Sequence, residues 1–191
     1  LMAPTPLTLA ETASVFGEML TFKRLLSQTK NAKQRQALLA GKVEDMINTV
    51  VRQIAFYSFE RAVHTERKNG ELTAERIGEI WLSVQSESLG PAIDIRPGYE
   101  NFWMYIPHFI HSPFYVYAYA FGDCLVNSLY AVYENASEGF AERYLAMLAA
   151  GGTKHYSELL KPFGLDAKDP KFWDGGLSVI SGMIDELEAM G

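Results

Sequence analysis

The longest unbroken pattern in the sequence runs from Asn31 to Lys68, where Leu38, Val43, Met46, Ile47, Val50, Ile54 and Val63 recur at the spacing of a helix face. Asn31, with Gln34 three residues on, predicts its start, because an amide oxygen there takes a free N–H of the first turn. Asn69-Gly70 predicts its end. The neighbouring segments read the same way. Thr8-Leu-Ala-Glu11 is a capping-box pattern and predicts a helix over 8–28. Thr73 opens another, with Ile77, Ile80, Trp81 and Val84 on one face, which closes near Gly90-Pro91.

Arg96-Pro97-Gly98 reads as a turn, followed by a short helix from Tyr99 to Tyr105. Ser137 is placed to cap a helix over 138–149 that ends at Gly151-Gly152, and a brief helix from Tyr156 to Leu160 closes near Gly164. Asp169-Pro170 pairs a cap with a proline at the first helical position, and 177–190 is amphipathic. No convincing strand, repeat or low-complexity tract interrupts the series. The expected fold class is all-α, a lobe of six to eight helices forming a single helical domain over 1–191.

Chemistry concentrates between Tyr105 and Gly122, which hold two of the four histidines and four of the ten tyrosines. Ser112-Pro113 predicts a helix start, leaving His108 and His111 on the approach to it. Tyr115 and Tyr119 then share a face at i, i+4, with Tyr117 and Phe121 beside it. The alternation of 115, 117, 119 and 121 also fits a strand; the helical spacing from Asp123 to Tyr133 favours one helix over about 113–135. A tyrosine stripe of this kind also suits a plain core helix whose hydroxyls find local partners.

Composition excludes several classes of function. At 191 residues and 48% hydrophobic the chain supports a real core. A net charge of −6, without a Lys and Arg cluster among aromatics, argues against nucleic acid as a partner. The lone cysteine, Cys124, lies in an apolar helix, so it reads as a small buried hydrophobe in a reducing compartment, the cytoplasm. The segment 102–122 has no Asp, Glu, Lys or Arg, yet two prolines, two histidines and its tyrosines make it too polar to span a membrane. Residues 1–8 lack the basic start and apolar run of a signal peptide, and the absence of an initiator methionine leads us to expect a piece of a longer chain.

Two segments, Glu11-Thr-Ala-Ser-Val-Phe-Gly-Glu18 and Pro107-His-Phe-Ile-His-Ser-Pro-Phe-Tyr-Val-Tyr-Ala-Tyr-Ala-Phe-Gly122, taken together in this order, resemble the C-terminal part of oligoendopeptidase F. That family is the bacterial branch of the thimet-oligopeptidase-like zinc metallopeptidases. The resemblance extends over nearly the whole chain, including Phe59-Glu60. It implies the C-terminal portion of a larger, two-lobed helical peptidase that hydrolyses short peptides with zinc. In such enzymes two histidines and a general-base glutamate come from His-Glu-x-x-His on one helix, and a later glutamate in Glu-x-x-Ser-x-x-x-Glu completes the metal site.

By that resemblance Glu11 matches the third zinc ligand, and Glu18 the acidic residue that supports the site from behind. His108 and Tyr119, then Tyr117, match the groups facing the metal, where a phenol donates to the oxyanion; His111 and Tyr115 match contacts with the substrate. Which tyrosine donates stays open, because His111-Ser112-Pro113 stands where relatives of the thimet branch carry glycines. Without the resemblance, Glu11 reads as the second half of a capping box. His64 and His155 read as ordinary helix residues, with His64 and Glu60 an i, i+4 pair.

One departure decides what the chain can do. No His-Glu-x-x-His occurs: His64-Thr-Glu-Arg-Lys, His108-Phe-Ile-His and His155-Tyr-Ser-Glu all fail the pattern. The resemblance then places that motif upstream of Leu1, leaves an incomplete zinc site here, and makes the N-terminal part of the same protein the partner this chain needs for activity. The rival reading is a non-catalytic helical module whose tyrosine-lined cleft binds a ligand or partner.

Overall fold

The computed structural model describes residues 5–135 and 138–191, apart from the side chain of Thr8; the caps expected at Thr8 and Ser137 fall outside the described residues. Among the described residues the chain is helical, with no strand. The helices are α1 (Leu7–Ala10), α2 (Thr12–Gln28), α3 (Ala32–Ile47), α4 (Gln53–Glu66), α5 (Ala74–Leu89), α6 (His108–His111), α7 (Tyr117–Asn135), α8 (Phe140–Ala150), α9 (Tyr156–Leu160) and α10 (Pro170–Glu188). None of them is long and apolar enough to cross a membrane. The chain groups into two compact units: Asn48–Ala120, and Phe121–Gly191 with the described residues up to Ile47.

Several boundaries match the sequence signals closely. The Gln34 N–H donates to Asn31 Oδ1 at 3.1 Å, Arg76 N–H to Thr73 Oγ1 at 3.2 Å, and Lys171 N–H to Asp169 Oδ1 at 3.0 Å. Each cap satisfies a donor that helix geometry would otherwise leave unpaired. Three expectations need correction. The long helix over 31–68 is not continuous: a π turn, Asn48–Arg52, separates α3 from α4. A π turn adds a residue to one helical turn and so rotates the residues beyond it about the helix axis. Val50 is buried at 1% exposure, whereas Ile47 and Ile54, assigned to the same apolar face, are 40% and 51% exposed.

The helix expected over 8–28 breaks at Glu11, whose backbone (φ −93°, ψ 0°) joins α1 to α2, and its side chain does not cap α2. The helix expected from Pro113 begins at Tyr117 instead. Phe114 has φ 59°, a left-handed conformation that no α-helix can include, so Ser112-Pro113 opens a turn. The Tyr115 N–H donates across it to the Ser112 carbonyl at 3.2 Å.

In the unit built on Phe121–Gly191 and α1–α3, α7 is the central helix: Leu125, Val126, Asn127 and Leu129 have no exposed surface. Gly176 of α10 meets it so closely that a Cβ there would stand 2.8 Å from the Cys124 carbonyl oxygen. Phe16 of α2 packs 4.6 Å from the Tyr144 ring and 5.7 Å from Phe140 of α8, a cluster that Phe163 extends. In the unit Asn48–Ala120, Trp81 of α5 is fully buried among Phe56 and Phe59 of α4 and Val116. The 3-10 segment Tyr99–Tyr105 lies against α5, where Gly78 admits the Glu100 carbonyl.

Candidate active site

Within Asn48–Ala120, the turn at Phe114 folds α6 back beside the first turn of α7. His108 and Tyr119, eleven residues apart, meet there: His108 Nε2 lies 3.1 Å from the Tyr119 hydroxyl. Tyr115 closes the group, its ring 5.9 Å from His108 at 28° and 5.3 Å from Tyr119 at 61°. All three side chains are half-buried, so they are held by packing yet accessible from outside. Tyr117 leaves α7 in another direction and stands edge-on to Tyr57 of α4 at 6.0 Å. His111, at the end of α6, is exposed. Of the residues matched to the family in this segment, the structure thus joins His108, Tyr115 and Tyr119 and sets Tyr117 and His111 apart.

A carboxylate that the sequence reading paired with His64 turns out to hold the turn. Glu60 of α4 is buried at 2% exposure, and its Oε1 accepts the Phe114 N–H at 2.8 Å. Its Oε2 is buried and makes no hydrogen bond with the described residues. Burial pushes the Glu60 carboxyl above the usual carboxylate range, against the Phe114 N–H and the nearby His64 and His108. The His64 ring packs 4.8 Å from Phe114. A bulky residue in the left-handed region costs about 1–3 kcal/mol. A hydrogen bond to a charged acceptor returns about 1.5–3 kcal/mol, which is enough to hold Phe114 there.

Glu11 and Glu18 belong to the other unit. Glu11 is half-buried at the joint between α1 and α2, and a Cβ on Gly122 of α7 would come within 3.0 Å of the Glu11 Cβ. A side chain at position 122 would press on the Glu11 side chain, which would have to shift by a few tenths of an ångström. The next residue, Thr12, is buried, and its carbonyl accepts from the Tyr144 hydroxyl at 3.3 Å, which ties the start of α2 to α8. Burial lifts the Tyr144 phenol to about 12, so it stays a neutral donor. Glu18 lies two turns along α2, exposed. Its charge, with that of Asp45, reaches the buried Asp123.

Asp123 accepts from Asn127 Nδ2 at 3.1 Å, and burial raises its carboxyl to about 6 against the opposing charge of Lys42. Burial, and secondarily Asp123, lifts the Cys124 thiol to about 12; it stays protonated and unreactive, in keeping with the reading as a buried hydrophobe. Among the described residues no three His, Cys, Asp or Glu side chains stand together as a metal would require. Sequence reasoning missed Gly122 as a neighbour of the Glu11 joint, Asp123 as a buried acid and Glu60 as the anchor of the turn. The available signal for Glu60 was a charge at the end of the apolar run Phe56 to Phe59, where a helix face otherwise turns inward.

A family model described as peptidase family M3 matches residues 2–178. Oligoendopeptidase F, plasmid, of Lactococcus lactis subsp. cremoris is 30% identical over 186 residues, covering 97% of this chain and 31% of that protein. Oligopeptidase PepF of Bacillus subtilis (strain 168) is 31% identical over 184 residues, covering 95% of this chain and 27% of that protein. Among solved structures, oligoendopeptidase-F from Enterococcus faecium superposes with a TM-score of 0.86 at 29% identity, over 96% of this chain and 35% of that one. The chain thus spans about a third of the length of the relatives it matches.

Proposed function

The chain belongs to peptidase family M3, and from that membership and the His108–Tyr119 pair we propose that it is the C-terminal helical part of a cytoplasmic zinc endopeptidase acting on short peptides. Glu11 serves as one metal ligand, with Glu18 supporting the site from behind. The remaining ligands and the general base come from a His-Glu-x-x-His outside these 191 residues, so this chain alone has no turnover. One observation fits a ligand role for Glu11: Gly122 of α7 carries no Cβ to crowd its side chain. A bound zinc would polarise the scissile carbonyl and activate a water.

The chain's own residues act on the substrate. For the Tyr119 O–H to reach an oxyanion, its oxygen must accept from His108, which requires the proton on Nε2 of the imidazole. In that arrangement His108 donates into the phenol, and the Tyr115 ring, packed on both, holds the pair in register. A preset donor of this kind favours the transition state over the planar carbonyl. Tyr117 is the alternative donor, and His111 and Tyr115 contact the peptide.

The observation that carries this reading is the 3.1 Å His108–Tyr119 contact. In the full-length protein Tyr119→Phe is expected to lower kcat by roughly 10²–10³-fold with little change in KM, the cost of one oxyanion donor. His108→Ala is expected to act in the same direction, and the double variant to lose less than the sum. Unchanged kcat in Tyr119→Phe refutes its role as donor.

A further inference from the structure

We propose that Glu60 is a positioning residue for the His108–Tyr119 pair, acting through the left-handed turn at Phe114; this rests on the peptidase reading of that pair. Both partners hang from that turn. On one side the Ser112 N–H donates to the His108 carbonyl at 3.0 Å, which fixes α6 to the turn. On the other, the Ala118 N–H donates to the Tyr115 carbonyl at 2.9 Å and the Tyr119 N–H to the Val116 carbonyl at 3.3 Å. Between them stands Phe114 at φ 59°, whose N–H Glu60 grips at 2.8 Å. One contact therefore sets the angle between the histidine and its tyrosine.

The anchor itself cannot drift, since Phe56 and Phe59 of the same helix are buried against Trp81, and Val116, two residues beyond Phe114, has no exposed surface. Stability alone does not account for the choice of residue. Glu60 is 2% exposed, one of its oxygens makes no hydrogen bond with the described residues, and no Lys or Arg among them bonds to it; the charged or titratable groups that face it are His64 and His108. An isosteric apolar side chain would be cheaper to bury there. What a carboxylate adds is a strong acceptor for a backbone N–H in a conformation that a phenylalanine otherwise avoids. A local penalty kept beside a site, where it orients the reacting groups, is how positioning side chains differ from packing ones.

The test uses the full-length enzyme, with kcat and KM on a peptide substrate, thermal unfolding, and hydrogen exchange of the Phe114 amide as readouts. Glu60→Met keeps the volume and removes the acceptor; it is expected to lower kcat about tenfold or more and to leave KM within about twofold in enzyme that thermal unfolding shows to be folded at the assay temperature. Glu60→Gln still offers an oxygen to the Phe114 N–H and is expected to keep kcat within about threefold of wild type. Adding Phe114→Gly to Glu60→Met is expected to recover most of the loss, because glycine adopts the left-handed turn unaided. A purely structural role predicts the reverse: unchanged kcat in the folded enzyme, and no rescue from position 114. Either of those results overturns the proposal. A Phe114 amide that exchanges freely in the wild-type enzyme overturns it whatever the variants do. Failure of the underlying peptidase reading looks different: the wild-type enzyme then cleaves no peptide, or Tyr119→Phe leaves cleavage intact, while exchange at Phe114 still reports whether Glu60 holds the turn.

Discussion

Replacing Asp123 by asparagine keeps the shape of a buried side chain and deletes its titration. The carboxyl is 2% exposed on α7, and burial lifts it from an ordinary 3.8 to about 6, a value that already includes the opposing Lys42 charge and the Asn127 hydrogen bond. Because the folded value lies above the unfolded one, the contribution of this group to stability is fully present below about 3.8 and is lost as pH rises through about 6. The gap between 3.8 and about 6 corresponds to about 3 kcal/mol over the whole window. Roughly 2 kcal/mol of that falls between about pH 4.5 and pH 7.5. Asparagine keeps an oxygen for Asn127 Nδ2 and carries no such loss. Urea unfolding of wild type and Asp123→Asn at those two pH values reads the effect. The difference between the midpoints should move in favour of the variant by about 1 M from the lower pH to the higher, given a slope of about 2 kcal/mol per molar urea. A difference that does not change with pH refutes the reasoning, as does a side-chain carboxyl ¹³C titration that places Asp123 at its ordinary value.

Two glycines give sharp expectations. Gly176→Ala puts a Cβ 2.8 Å from the Cys124 carbonyl oxygen and 3.2 Å from its Cα, atoms of a helix backbone that cannot step aside, so a loss of about 1–3 kcal/mol is expected in urea unfolding; an unchanged midpoint would mean that α10 and α7 are not packed this closely. Gly122→Ala crowds the Glu11 Cβ at 3.0 Å and is expected to cost little stability but to weaken zinc retention in the full-length protein by about tenfold, measured by competition with a chelator; unaltered retention would separate Gly122 from the metal site.

Much of the fold is legible because helix signals are local. Asn31, Thr73 and Asp169 cap as their positions predict, since a side-chain oxygen at a helix start has few other places to go. The features that escape the sequence are set from a distance. Ser112-Pro113 looks like a helix start, yet the N–H of Phe114 is claimed by a carboxylate 54 residues earlier, and the left-handed turn that results delays α7 to Tyr117. The π turn at 48–52 likewise obeys no spacing rule, and Ile47 and Ile54, expected on the apolar face, are exposed. In the candidate site, resemblance singles out His108 and Tyr119, and the structure bonds them. It includes Phe59-Glu60 but gives Glu60 no role, because the value of a buried acid lies in the tertiary contact it makes.

Metal binding by Glu11 is central to the proposed peptidase function. Zinc content and peptide hydrolysis of the full-length protein, measured together for wild type, Glu11→Gln and Glu18→Gln, address it directly. A ligand role for Glu11 predicts about one zinc per wild-type chain, loss of most zinc and of turnover in Glu11→Gln, and retention of the metal with weaker binding in Glu18→Gln, as expected when one of three protein ligands is removed and when a supporting group is removed. A Glu11→Gln enzyme that keeps a full complement of zinc and an unaltered kcat would contradict it.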